Sequence, residues 1–259
     1  MGRILYFAML ITSSILSAGA AGDPQVEQDS LELYAQPNGL ISVDQYGAVK
    51  RQTRWSNPVI NVCWDEHPIN TTEENYRAIV ELAVVSSWPK YSDVRFIGWR
   101  VCKDSRERGI HITVRDEAPR TKGLGRYLDG RAGGMVLNFD FKNWRPACRV
   151  DKSKEDCVKY LAVHEFGHAL GFIHEHTRSD APECAADVNS VGARGVKLIS
   201  KYDEKSIMNY CSPTWKMYSN HEEGNDQALE ILSPLDKYSV AQHYKLKTAE
   251  RHAPLAMEN

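Results

Sequence analysis

The sequence predicts a mixed α/β (α+β) domain, and three observations point to it. Apolar runs of strand length alternate with helical periodicity in the order strand, helix, three strands, helix. The 259 residues are 42% apolar and 25% charged, a balance that suits a globular chain with a sizeable core. No internal repeat or low-complexity tract occurs, which argues against a solenoid or a fibrous array.

At the N-terminus, Arg3 precedes an apolar run from Ile4 to Leu16, and Ala18-Gly19-Ala20 follows. That is the order of charged region, hydrophobic core and A-x-A cleavage site in a secretory signal over residues 1–20. A run of about 13 residues falls short of the roughly 20 that cross a bilayer as a helix. The mature chain is therefore expected to begin near Ala21, exported and free of the membrane. Residues 21–51 are polar, interrupted by Pro24, Pro37, Gly39 and Gly47, and end in the basic pair Lys50-Arg51. A short prosegment and a plain N-terminal extension both fit that stretch.

Within residues 52–259 the first strand is Val59–Trp64. Asn70-Thr71-Thr72-Glu73 supplies a cap and early acids for a helix running to about Trp88 and stopped by Pro89. Its expected apolar face is Ala78, Ile79, Leu82 and Val85. Asn70-Thr71-Thr72 is also a glycosylation sequon. Three strands follow, at residues 94–101, 110–114 and 135–139, with glycines 123, 125, 130, 133 and 134 marking a loop before the last. These glycines lack the Lys-Ser/Thr of a phosphate-binding loop.

The net charge of −2, with acids and bases interspersed, gives no reason to expect nucleic acid or an anionic membrane as partner. Six cysteines in an exported chain read as three disulfides, for which 15 pairings exist. Proximity in sequence favours Cys148–Cys157. No C-x-x-C pair is present to suggest a cysteine metal site.

The decisive stretch is residues 158–176. Tyr160, Leu161, Val163, Phe166, Ala169 and Leu170 make most of it a buried helix. His164 and His168, four residues apart, lie on one helical face and can ligate one ion. Glu165, the next residue, is placed to act as a general base on water at that ion. If the helix continued, His174 would lie about 9 Å further along the axis and on another face. A turn at Gly171, which tolerates the left-handed conformation, would end the helix and bring His174 back. Three neutral imidazoles with one open position favour a single catalytic Zn2+. The bland alternative is a buried helix whose histidines are satisfied core residues.

These residues resemble the metzincin metallopeptidases, whose pattern is HExxHxxGxxH followed by a Met-turn, here Ser206-Ile207-Met208-Asn209-Tyr210. Within that clan the astacin-like group is most similar. The likeness rests on Glu175 after the third histidine, the run from His174 to Asp180, Tyr202-Asp203, and Tyr210 two residues after Met208. Asn209 stands where astacins usually have histidine, and the cysteines do not follow the common astacin pairing.

The resemblance implies a two-lobed catalytic domain with a twisted mixed sheet. The active-site helix would belong to an N-lobe of about 52–174, and a mostly irregular C-lobe would span 175–259. It further implies Met208 as the floor of the site and Tyr210 as a fifth ligand or an oxyanion-stabilising phenol. Glu175 would be a structural acid reaching the mature N-terminus, and residues 133–141 the edge strand that pairs with an extended peptide. The function so implied is secreted zinc endopeptidase, with protein or peptide as the partner. A zinc-stabilised binding module is disfavoured by the intact Glu165, since a structural site needs no base and fills its fourth position with protein. Hydrolysis of a non-peptide amide is the remaining competitor. The side-chain pocket is expected in the 176–201 loop.

Overall fold

The computed structural model describes residues 48–149, 151–178, 181–182, 196–211 and 231–244. The expected signal segment, residues 21–47, Cys184 and most of the expected specificity loop lie outside them.

A five-stranded mixed sheet forms the body. Its strands are β2 (Val59–Trp64), β3 (Arg95–Val101), β4 (Ile110–Val114), β5 (Arg120–Thr121) and β6 (Arg131–Leu137), in spatial order β3-β2-β4-β6-β5. The first four are parallel and β5 is antiparallel to β6. Ile60, Val62, Ile110, Ile112, Met135 and Leu137 are all buried, as interior parallel strands covered on their faces require. Separately, β1 (Ala48–Lys50) pairs antiparallel with β7 (Val196–Leu198).

Between β2 and β3 the register slips at Val62/Cys63, and the unpaired residue is Trp99. Gly98 and Trp99 both have positive φ there. A side chain at Gly98 would meet the Val62 carbonyl at 2.7 Å, so the bulge needs glycine.

Helix α1 (Thr71–Val85) starts as expected, with Asn70 Oδ1 accepting from Glu73 N at 2.9 Å. It stops three residues before the expected end, in a 3-10 turn over Trp88–Tyr91. Its buried face is a correction: Arg77, Val80, Ala83 and Val84 face inward, whereas Leu82 is 66% exposed and Ala78 and Val85 are also exposed. The inward stripe was disguised by Arg77, whose guanidinium is held by Glu73 and the Glu66 carbonyl and lies 4.6 Å from the Trp64 ring. Satisfied in this way, a charged residue can occupy a buried position.

Helix α2 (Asp151–Ala169) packs against α1 and the sheet. Trp88 Nε1 donates to the Val163 carbonyl at 2.8 Å, and Phe166 meets Phe96 edge-on at 4.8 Å. Helix α3 (Pro234–His243) opens on a capping box between Ser233 and Asp236. Among the described residues beyond Gly171, α3 is the only α-helix, so this part of the chain is as irregular as expected. The mixed α/β reading agrees with this architecture.

Two boundaries change. The last interior strand spans 131–137, not 135–139, and includes Gly133 and Gly134. Residues 133–141 do not supply an edge strand, because β6 lies between β4 and β5; the edge on that side is β5, and β3 is the other. A two-residue strand, Arg120-Thr121, has no alternation for sequence periodicity to detect.

Disulfides join Cys148–Cys157, as expected, and Cys63–Cys102, which ties β2 to the end of β3. Cys211 is also disulfide-bonded. No described helix is long and apolar enough to cross a membrane.

Candidate metal centre

Helix α2 ends one residue after His168. Gly171 N donates to the His168 carbonyl and Phe172 N to the Gly167 carbonyl, at 2.9 and 3.0 Å. This is a Schellman closure with Gly171 in the left-handed position, φ 93°. A β-carbon at Gly171 would also stand 2.6 Å from Thr53 Oγ1, so space and backbone both require glycine. The reversal brings His174 Nε2 to 3.1 Å from His168 Nε2 and 3.3 Å from His164 Nε2. The structure thus brings together the three predicted histidines.

Backbone carbonyls fix two of the rings. His164 Nδ1 lies 2.8 Å from the Ile207 carbonyl and His168 Nδ1 2.8 Å from the Phe172 carbonyl. A carbonyl only accepts, so both Nδ1 atoms carry the proton and both Nε2 lone pairs face the cluster. Burial holds His164 and His174 well below the usual histidine pKa and brings His168 to about 4. The rings are therefore neutral near pH 7. Three converging neutral donors repel one another unless a cation stands between them, and this donor set suits zinc.

Glu165 is 2% exposed, and its Oε2 has no hydrogen-bond partner. Burial raises its pKa to about 8, opposed by the Arg120 charge from β5. A divalent cation beside it acts in the opposite direction, favouring the carboxylate. A buried carboxylate with an unpartnered oxygen, one residue from a ligating histidine, fits a role in proton transfer.

Met208 lies against α2 at Gly167, where a β-carbon would collide with Met208 Sδ and stand 3.1 Å from the Trp88 ring. The turn carrying it is pinned from α3. Asp236 accepts from Ser206 Oγ at 2.7 Å and from Ile207 N at 2.9 Å. Asp236 therefore fixes the residue whose carbonyl orients His164. This acid was not foreseen, because a capping box explains Ser233-Pro234-Leu235-Asp236 completely at the sequence level.

Glu175 is buried. Its Oε1 accepts from Arg178 at 2.9 Å and from Asp203 N at 2.7 Å, while its own N–H donates to the Met208 carbonyl. Burial raises its pKa to about 7, with Arg178 opposing. The expected link from Glu175 to the mature N-terminus lies outside the described residues. Tyr210 is exposed beside the cluster, its ring centroid 4.4 Å from His174 and 5.3 Å from His164. His176, unremarked in the sequence, stacks on both His174 and Tyr210 and is buried.

A second histidine–cysteine group, Cys63, Cys102 and His111, is no metal site, since both sulfurs are joined in a disulfide.

No family model matches the chain, and no curated protein sequence does. Solved structures do. Myroilysin superposes with a TM-score of 0.52 at 22% identity, covering 78% of this chain and 100% of that one. High choriolytic enzyme 1, a hatching enzyme zinc-protease from the medaka fish Oryzias latipes, superposes with a TM-score of 0.44 at 22% identity, covering 74% and 92%. At this level of identity the likeness to myroilysin is one of architecture: the chain has the myroilysin fold.

Proposed function

We propose that the chain is a secreted zinc endopeptidase of the astacin-like metzincin kind, with one Zn2+ held by His164, His168 and His174. The observation that carries this reading is the convergence of three neutral imidazole nitrogens beside the buried, unpartnered Glu165 oxygen. Zinc bound there supplies Lewis acidity, polarising a carbonyl and making water acidic near neutral pH.

The protein's own groups do the rest. Glu165 accepts a proton from the attacking water and passes it to the leaving amine. Tyr210, whose ring lies against His174, donates its phenolic proton to the developing oxyanion; the ring contact supports this role. The Ile207 and Phe172 carbonyls hold two rings in the ligating tautomer. Met208 and Gly171 shape the site, and Glu175 braces the chain behind it through Arg178 and Asp203. An extended peptide adds along the open edge of β5, beside Glu165.

The first test is the chain expressed without residues 1–20, assayed for bound zinc and for casein cleavage with and without a chelator. About one zinc per chain is expected, with cleavage abolished by the chelator and restored by zinc. A chain that cleaves casein equally well with its metal stripped would overturn the proposal, as would one that binds zinc but cleaves no protein after removal of residues 21–51.

A further inference from the structure

We propose that Asn70 carries an N-linked glycan, a site that rests on the export reading but not on the peptidase reading. Asn70-Thr71-Thr72 is the one N-x-S/T sequon in the sequence. Many such sequons are unusable because their asparagine is buried or its amide nitrogen is engaged, and here neither holds.

Asn70, Thr71 and Thr72 are all exposed. As helix cap, Asn70 uses only its oxygen, Oδ1 accepting from Glu73 N at 2.9 Å. Glycosylation uses the other atom, Nδ2, which has no partner among the described residues. The two roles share one side chain without competition: a sugar on Nδ2 leaves the capping oxygen free to accept.

A second observation is the neighbour. Ile69 is 85% exposed, more than any other large apolar residue described. Preceding an N-cap, it would ordinarily staple onto the fourth helical residue, but that residue is Glu74, and Ile69 has no apolar partner there. A glycan on Asn70 stands directly beside this side chain and shields it.

In the reaction, Asn70 Nδ2 attacks the anomeric carbon of a lipid-pyrophosphate-linked oligosaccharide. An N–C bond forms, the C–O bond to the pyrophosphate breaks, the lipid pyrophosphate leaves, and the amide gives up one proton.

The test is translation of the full chain with endoplasmic-reticulum microsomes, followed by protease protection and peptide:N-glycosidase. The protected chain is expected to lose the mass of one oligosaccharide, with residue 70 converted to aspartate. Thr72→Ala and Asn70→Asp both keep a capping oxygen at residue 70 and should abolish the shift, whereas Thr72→Ser should retain it. A protected chain with unmodified Asn70 would overturn the site itself. A chain left outside the microsomes would overturn the export reading and the glycan with it, while casein cleavage decides the peptidase reading independently.

Discussion

Glu165 and its neighbours show how much single residues accomplish here. Glu165→Gln keeps the shape of the side chain but removes the proton acceptor. The expected outcome is unchanged zinc content and a fall in kcat of at least about 100-fold, the low end for losing a general base. Retained turnover would refute the role. Gly167 is as constrained for a steric reason, since Met208 occupies the space a β-carbon would take. Gly167→Ala should lower stability by about 1–3 kcal/mol, the range for overpacking, and loosen zinc binding through the displaced Met208. Equal denaturation midpoints for variant and wild type would show that the contact is not tight. At this scale the sequence was most legible: the four-residue spacing of two histidines and the glycine before a third encode geometry locally. His176 was not legible, because its stacking on Tyr210 spans 34 residues and leaves no spacing signal.

Elements position these residues across distances that periodicity does not reach. Helices α1 and α2 are legible because each satisfies its backbone locally, and β2 because it is an apolar run of strand length, whereas β5 exists only because Met135 and Val136 of β6 pair with it. The inward face of α1 is hidden in the sequence because a satisfied arginine, Arg77, looks like a solvent-facing one. Asp236 is the clearest case of remote positioning, since an acid on α3 fixes a turn 29 residues earlier. Burial raises its pKa to about 6 from an ordinary 3.8. The protonated form is thus favoured by folding. Its stabilising contribution is complete below pH 3.8 and is lost as pH rises through about 6. Asp236→Asn has no such proton to lose. The unfolding free energy of the metal-free wild type relative to Asp236→Asn should therefore decline between pH 4 and 7, by a few kcal/mol at most. Denaturant melts at several pH values measure this, and a difference independent of pH would show that Asp236 does not titrate in that range.

For the whole molecule, the question is where the folded unit begins, and the contacts of residues 52–55 give an answer. Thr53 is buried with its hydroxyl at Gly171, and Trp55 Nε1 donates to the Ala169 carbonyl at 2.7 Å, just where α2 ends. Trp55 N donates in turn to the Tyr244 hydroxyl, which donates to the Leu170 carbonyl. Arg126 Nε closes onto the Gln52 carbonyl. Trp55 and Tyr244 therefore supply donors to two carbonyls that helix geometry leaves unpaired at the C-terminus of the metal-bearing helix, while Thr53 fills the space beside Gly171. Upstream, the main packing partner of β1 is β7, with which it pairs. We therefore predict a sharp boundary. A chain starting at Gln52 should fold and bind one zinc, whereas one starting at Ser56 should be less stable by about 3–5 kcal/mol, the cost of losing one buried tryptophan. Trp55→Phe keeps most of the packing and removes the bond to Ala169, so it should fall between them. Thermal denaturation and zinc content of the three proteins decide the matter. If the chain starting at Ser56 matched the one starting at Gln52, the strap would be ornament, and the geometry that returns His174 to the metal would be set by Gly171 alone.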